Sequence, residues 1–158
     1  MSALGSPRHL IRRFFSSLQA GRPSPTEQLE VARTLTPPEA ALFWAQPAMD
    51  QRHAIRVAGR IPDGSMSLLR AALLHDVGKR HSRTGVLGRS VASALALFHL
   101  PVRGRWETYL DHGALGAADL NAAGSDPLVV AFAEHHHGRR PTEVPPDAWA
   151  ILSEADND

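Results

Sequence analysis

The chain has 158 residues, a length that suits one domain around a single hydrophobic core. Its 17 lysines and arginines nearly balance 16 aspartates and glutamates, so the net charge of +1 gives no reason to expect a nucleic-acid partner. The absence of cysteine excludes disulfides, thiolate zinc sites and cysteine nucleophiles, and any metal must therefore be bound by nitrogen and oxygen.

We predict that residues 1–46 form an N-terminal segment of helices with a packing role. Residues 7–20 repeat apolar side chains at the spacing of an amphipathic helix, and short helices are predicted at 26–35 and 38–45, each opening near a proline. The beginning of the chain lacks the apolar block of a signal peptide, and no apolar run approaches the roughly 20 residues of a membrane span. We therefore expect a cytoplasmic protein without a membrane span.

Residues 47–158 carry the side chains that suggest chemistry, and we expect them to form one structural domain with the first segment. Their first helix repeats Met49, His53, Val57 and Ile61 at every fourth position, which places His53 on the buried side. A buried histidine needs a partner. That partner could be a hydrogen-bonding group of the core or a metal ion.

The central stretch, residues 68–79, is an almost wholly apolar helix that ends in His75 and Asp76. Such a helix is normally buried, and Gly78 is predicted to stop it as a C′ residue. Neighbouring residues do not share a helix face, so both side chains can reach one point only where the helix ends. That point could be a divalent metal ion; the alternative is a packed histidine beside a capping aspartate.

A basic stretch with two glycines follows this pair directly and contains Lys79, Arg80, Arg83 and Arg89. Next to a metal ion, such a loop could bind phosphate oxygens. The alternative for the three arginines is an ordinary solvated loop.

Two later helices carry further candidate ligands. A helix over residues 104–123 has His112 and Gly116 on one face, and the glycine there predicts close packing against a neighbour, since glycine inside a helix costs about 1 kcal/mol relative to alanine. The last helix, from residue 146, carries Asp156 near its end. No stretch alternates like a strand, so we predict an all-α fold of about seven to nine short helices.

The helix between them ends in His135, His136 and His137. Three successive residues cannot all face inward on a helix. We therefore predict that His135 and His136 face inward and that His137, beside Gly138, is exposed.

The order of these residues resembles the HD superfamily of metal-dependent phosphohydrolases. The resemblance runs from about His53 to Asp156 and implies the same all-α fold. The matching pieces are residues 52–58 around His53, the segment His75-Asp76-Val77-Gly78-Lys79 in the HDxGK form, residues 112–117 beginning with His112, and Asp156.

The resemblance also implies roles for these residues. His53, His75, Asp76 and Asp156 would bind one metal ion, and His112 with His135 or His136 would complete a second site bridged by Asp76. The ions would be divalent transition metals: manganese, iron, zinc, cobalt or nickel. The substrate anion would be met by Lys79, with Arg80 and Arg83 as further predicted contacts.

The function implied is hydrolysis of a phosphoester or phosphoanhydride in a small phosphorylated molecule, a nucleotide, by metal-activated water. The pattern is most similar to bacterial HD-type diadenosine-tetraphosphate hydrolases. The Gly-Tyr-Pro signature of HD-GYP phosphodiesterases is missing at residues 138–141, and the Glu-Asp pair of guanosine-tetraphosphate hydrolases is missing after Asp76. Two alternatives stand beside this interpretation: a mixed-valent di-iron oxygenase and a nucleotide-sensing module without turnover.

Overall fold

The computed structural model describes residues 21–62, 65–82, 104, 108 and 110–157. Within them the chain forms seven α-helices, one 3-10 helix and no strand, which confirms the predicted all-α class. The α-helices are α1 (Pro25–Thr34), α2 (Pro37–Trp44), α3 (Ala48–Ala58), α4 (Met66–Leu74), α5 (His112–Ala122), α6 (Pro127–His135) and α7 (Pro146–Asp156); the 3-10 helix is Val77–Ser82. The helix predicted at 7–20, together with Arg83 and Arg89, lies outside the described residues.

The first two helices begin at Pro25 and Pro37, each one residue from its predicted start near proline. Ser24 precedes α1, and its hydroxyl accepts the Glu27 amide at 3.3 Å while the Glu27 carboxylate accepts the Ser24 amide at 2.7 Å. This reciprocal pair satisfies two donors that a helix start leaves open. None of the described helices combines the length and the apolar content that crossing a bilayer requires.

Helix α4 lies at the centre of the fold. Its last turn, Ala71 to Leu74, is buried at four successive positions, which requires neighbours on every side. Those neighbours are α1, α2, α3, α6 and α7. Because the helix is surrounded, the residues that follow its last turn emerge inside the protein rather than at its surface.

The predicted stop at Gly78 is wrong. Helix α4 ends at Leu74 with His75 as its C-cap, and Gly78 lies inside the 3-10 helix, without the positive φ that Gly104 and Gly124 have. Gly78 is needed for contact instead, since an added Cβ would lie 1.9 Å from the carbonyl oxygen of His112. Glycine thus lets the 3-10 helix lie directly on the backbone of α5.

The partner of this contact is Gly116, one turn after His112 on α5. A Cβ at Gly116 would lie 3.1 Å from the amide nitrogen of Gly78, tighter than ordinary contact. The close packing predicted for Gly116 is therefore confirmed. The two glycines bring the start of α5 next to the end of α4.

Candidate metal centre

Five helices bring predicted ligands to one point. His53 comes from α3, and the ends of α4, α6 and α7 converge on it with the start of α5. Helix C-termini carry partial negative charge, which favours a cation there. The side chains brought together are those of His53, His75, Asp76, His112, His136 and Asp156.

His75 and His136 are held in the same way. Each is the C-cap of its helix, and each ring donates its Nδ1–H to the carbonyl three residues back, His75 to Ala72 and His136 to Ala133, both at 2.9 Å. This bond fixes the ring orientation and leaves the Nε2 lone pair directed into the centre. Histidines that bind metal ions are typically oriented by such a second hydrogen bond.

Asp76 faces two groups of histidines with two different oxygens. Oδ1 lies 3.4 Å from the Nε2 of His112 and 3.4 Å from the Nε2 of His136. Oδ2 lies 3.4 Å from the Nε2 of His75 and 3.9 Å from the Nε2 of His53. A carboxylate placed in this way can bridge two cations.

The separations suit atoms that share a cation. Two ligand atoms bound at about 2.1 Å to one ion lie about 3.4 Å apart in tetrahedral geometry. Asp156 adds separations of 3.2 Å to the Nε2 of His53 and 3.3 Å to the Nε2 of His75. The Nε2 atoms of His75 and His136 and the Oδ1 of Asp76 are buried and make no hydrogen bond. Each such group costs about 1–3 kcal/mol, and a cation would satisfy all three.

The carboxylates draw positive charge to the centre. Burial disfavours the His75 imidazolium, but Asp76 and Asp156 outweigh it and raise the pKa of His75 to about 10. Burial also opposes ionisation of Asp76, yet Lys79 and His75 hold its pKa well below the usual range. The hydrogen bond from His53 and the neighbouring charge of His75 likewise outweigh burial and lower the pKa of Asp156. Both carboxylates are therefore ionised at neutral pH, and a bound cation would replace the proton on His75.

The three successive histidines, residues 135–137, do not all have the orientations that were predicted for them. His136 enters the centre with its side chain 1 % exposed. His135 does not: its side chain is 41 % exposed and its Nε2 lies 3.7 Å from the Glu134 carboxylate, so the inward orientation predicted for it is wrong. His137 is an exposed residue, as predicted, but it belongs to a ligand group with Asp76, His112 and His136.

The predicted substrate-binding residues have separate positions. Lys79 donates to Oδ2 of Asp76 at 2.5 Å, with its side chain 14 % exposed, so its charge lies at the centre. Arg80 lies 2.8 Å from the carboxylate of Asp119 on α5, and a substrate phosphate would have to compete with that ion pair. Arg83 lies outside the described residues.

Sequence reasoning missed two side-chain contacts, one of them beside Asp156. The Nη1 of Arg60 donates to the carbonyl of Ala155 at 3.0 Å, immediately before Asp156. His81, which had no predicted role, lies 2.7 Å from the carboxylate of Asp119. These contacts join residues 95 and 38 positions apart, so no local pattern marks them.

Comparison with known proteins gives one match. A family model described as the HD domain matches residues 51–158, more than half of the chain. No curated protein and no solved structure matches the chain significantly. The matched range contains every side chain of the candidate metal centre. The chain therefore belongs to the HD-domain family, a superfamily of metal-dependent phosphohydrolases.

Proposed function

We propose that this protein is a phosphohydrolase that uses two divalent cations to hydrolyse a phosphoester or phosphoanhydride. Its substrate is a small phosphorylated molecule, namely a nucleotide. The observation that carries the proposal is the placement of Asp76, whose two oxygens face two separate groups of histidines. Two cations joined by a carboxylate are a recurrent arrangement in phosphate-ester hydrolysis. The nucleotide preference rests on the resemblance alone.

The two cations would have different ligands. Side chains on the Oδ2 side of Asp76 would hold the first ion, and those on the Oδ1 side would hold the second. The first set is His53, His75, Asp76 and Asp156, and the second is Asp76, His112 and His136.

Substrate would enter from the side of the least buried ligands. The side chains of His53 and Asp156 are 19 % and 17 % exposed, whereas those of His75 and His136 are each 1 % exposed. Lys79 lies beside Asp76 and is also partly exposed. A phosphoryl group entering on this side would meet the ammonium of Lys79.

Bound divalent cations would supply Lewis acidity, which activates water and offsets charge on phosphoryl oxygens. The chain itself supplies orientation and charge. His75 and His136 hold fixed Nε2 lone pairs through their Nδ1 hydrogen bonds. Lys79 adds a positive charge that would become stronger in a site from which water is excluded.

Purified protein reloaded with manganese should hydrolyse at least one member of a nucleotide and phosphoester panel under anaerobic conditions, releasing phosphate from a terminal phosphoryl group or a nucleoside phosphate from an internal bond. Hydrolysis requires no change of metal valence, so oxygen should not affect the rate. Lys79→Met keeps the apolar stem but removes the charge, and it should lower turnover about 100-fold with metal content preserved. Chromatography of the products and elemental analysis on the same samples measure both effects.

Arg56→Met is the matched control, because Arg56 is an exposed cation on α3 that is not among the candidate ligands. It should leave turnover unchanged. Iron-dependent oxygen uptake without phosphate release would overturn the proposal in favour of an oxygenase. Tight nucleotide binding with inactivity in both assays would instead favour a sensing module.

Arg60→Met should weaken cation binding through Asp156. The Arg60 guanidinium holds the carbonyl of Ala155, so its loss frees the last turn of α7, where helix ends fray most readily. We expect affinity for one cation to fall about 10-fold, the lower end of the range for residues that orient metal ligands. Calorimetric titration measures the affinity, and Arg56→Met again serves as control; equal affinities in both variants would remove Arg60 from this role.

A further inference from the structure

The second cation site has one more nitrogen within reach than the predicted ligand set contains. We infer that His137 is a third imidazole ligand of this site, beside His112, His136 and Asp76. This inference rests on the proposed function, since it concerns one of the two cation sites proposed above. It assigns a role to a residue that the sequence pattern placed at the surface.

One ligand atom from each of Asp76, His112, His136 and His137 lies within 4.8 Å of every other. The ring centroid of His137 is 3.9 Å from that of His136 and 5.2 Å from that of His112, whose ring is itself 5.4 Å from that of His136. The three rings therefore surround the Oδ1 side of Asp76, which lies 3.4 Å from two of their nitrogens.

The backbone explains how two successive histidines face the same point. Helix α6 ends at His135, and His136 and His137 lie in the turn that follows. The C-cap His136 keeps right-handed helical backbone angles, φ −57° and ψ −23°, but the helix does not continue beyond it, which lets His137 reach the same ligand group from the turn. His135, still inside the helix, faces outward to Glu134 at 3.7 Å.

A third imidazole makes the two cation sites chemically unequal. The site on the Oδ2 side of Asp76 has two nitrogens and two carboxylate oxygens, from His53, His75, Asp76 and Asp156. The other site then has three nitrogens and one oxygen. Imidazole suits zinc, nickel and iron, whereas carboxylate suits manganese and magnesium. The second site should therefore prefer zinc over manganese more strongly than the first.

His137 also differs from its partners in exposure. It is an exposed residue, whereas the side chains of His112 and His136 are 5 % and 1 % exposed. It would thus bind the cation from the solvent side. Its loss should weaken the site without opening the core.

Three single variants test the inference: His135→Ala, His136→Ala and His137→Ala. Each is titrated with cobalt, followed by visible absorption and calorimetry. We expect two binding steps in the unsubstituted chain and in His135→Ala, which is the matched control. Losing residues that merely support metal ligands costs about 10–100-fold in affinity, so His137→Ala should weaken one step at least that much and leave the other unchanged. His136→Ala should lose the same step.

A second measurement uses the unsubstituted chain and needs no variant to fold. Diethyl pyrocarbonate labels accessible histidines, and mass spectrometry locates the label. Zinc should protect His137 from labelling but leave His135 reactive, because only His137 lies in the ligand group.

The outcomes separate this inference from the proposed function. Two cobalt steps of unchanged affinity in His137→Ala, together with equal labelling of His135 and His137 in zinc, would overturn the role of His137 and leave the two-cation proposal intact. A chain that binds no cation at all would overturn both. If His136→Ala and His137→Ala each weaken the same single binding step and His135→Ala weakens none, both the inference and the proposed function are supported.

Discussion

Replacing Asp76 by asparagine should remove both cations and lower phosphate release more than about 100-fold. Asparagine keeps the shape of the side chain but loses the charge, and its amide nitrogen cannot act as a ligand. Losing a residue that only supports a metal ligand already lowers metal affinity about 10–100-fold. Losing a ligand shared by two ions should therefore lower the affinity by more than that. Elemental analysis and turnover on one sample measure the two effects.

The matched control is Asp147→Asn, which removes an exposed carboxylate in the first turn of α7. It should retain both ions and full turnover. Thermal unfolding of both variants separates loss of the site from loss of the fold. If Asp76→Asn kept two ions per chain, the bridging role would be wrong; loss of a single ion would restrict Asp76 to one site.

Local sequence was a good guide wherever local physics decides the structure. Proline, Ser24 and the Glu27 carboxylate define the start of α1, and the structure begins it at Pro25, one residue from the predicted position. The apolar run before His75 required a buried helix, and α4 lies at the centre of the fold. His53 faces inward because it shares a helix stripe with Val57, which is fully buried.

Sequence failed where a helix ends or where distant backbones touch. The prediction treated the histidine run as helical throughout, but α6 ends at His135, whose side chain is 41 % exposed, whereas that of His136 is 1 % exposed. Gly78 is a residue type that often stops helices. Glycine is needed there instead because the carbonyl of His112, 34 positions away in the chain, leaves no space for a Cβ. Neither outcome follows from spacing, because both depend on how elements pack.

Arg80 illustrates the same difference for charge. The basic stretch after Asp76 suggested phosphate binding, but the structure provides Arg80 with an acidic partner, Asp119, on α5. Lys79, one residue earlier, points instead at Asp76. Composition correctly predicted positive charge beside the centre. Only the packing of the 3-10 helix on α5 shows that Lys79 contacts Asp76 whereas Arg80 contacts Asp119.

An ion pair between Glu39 and Arg70 lies away from the metal ligands. Glu39 on α2 is 0 % exposed, and its carboxylate accepts from Arg70 on α4 at 2.7 and 2.9 Å, from the amide of Thr36 at 3.0 Å and from the hydroxyl of Ser125 at 2.8 Å. Burial raises the pKa of Glu39, but these hydrogen bonds outweigh it and lower the pKa below its ordinary value of 4.5. The network joins α2, α4 and the turn between α5 and α6.

Glu39→Ala should lower the free energy of unfolding by about 3 kcal/mol or more, because breaking a buried pair leaves the Arg70 charge without its partner. For a domain of this size, that loss corresponds to a fall in Tm of roughly 6–12 °C. Thermal and urea unfolding measure it. Glu30→Ala, which removes an exposed glutamate from α1, is the control and should change stability by less than about 0.5 kcal/mol.

The pH dependence tests the same pair independently. Since the folded-state pKa of Glu39 is depressed, its contribution is fully present above pH 4.5 and is lost as the pH falls through the lower folded-state pKa. The difference in unfolding free energy between the unsubstituted chain and Glu39→Gln should therefore be largest at neutral pH and shrink on acidification below that value. A difference that stays constant down to pH 2 would show that the carboxylate charge of Glu39 does not stabilise the fold and that only its shape and hydrogen bonds matter.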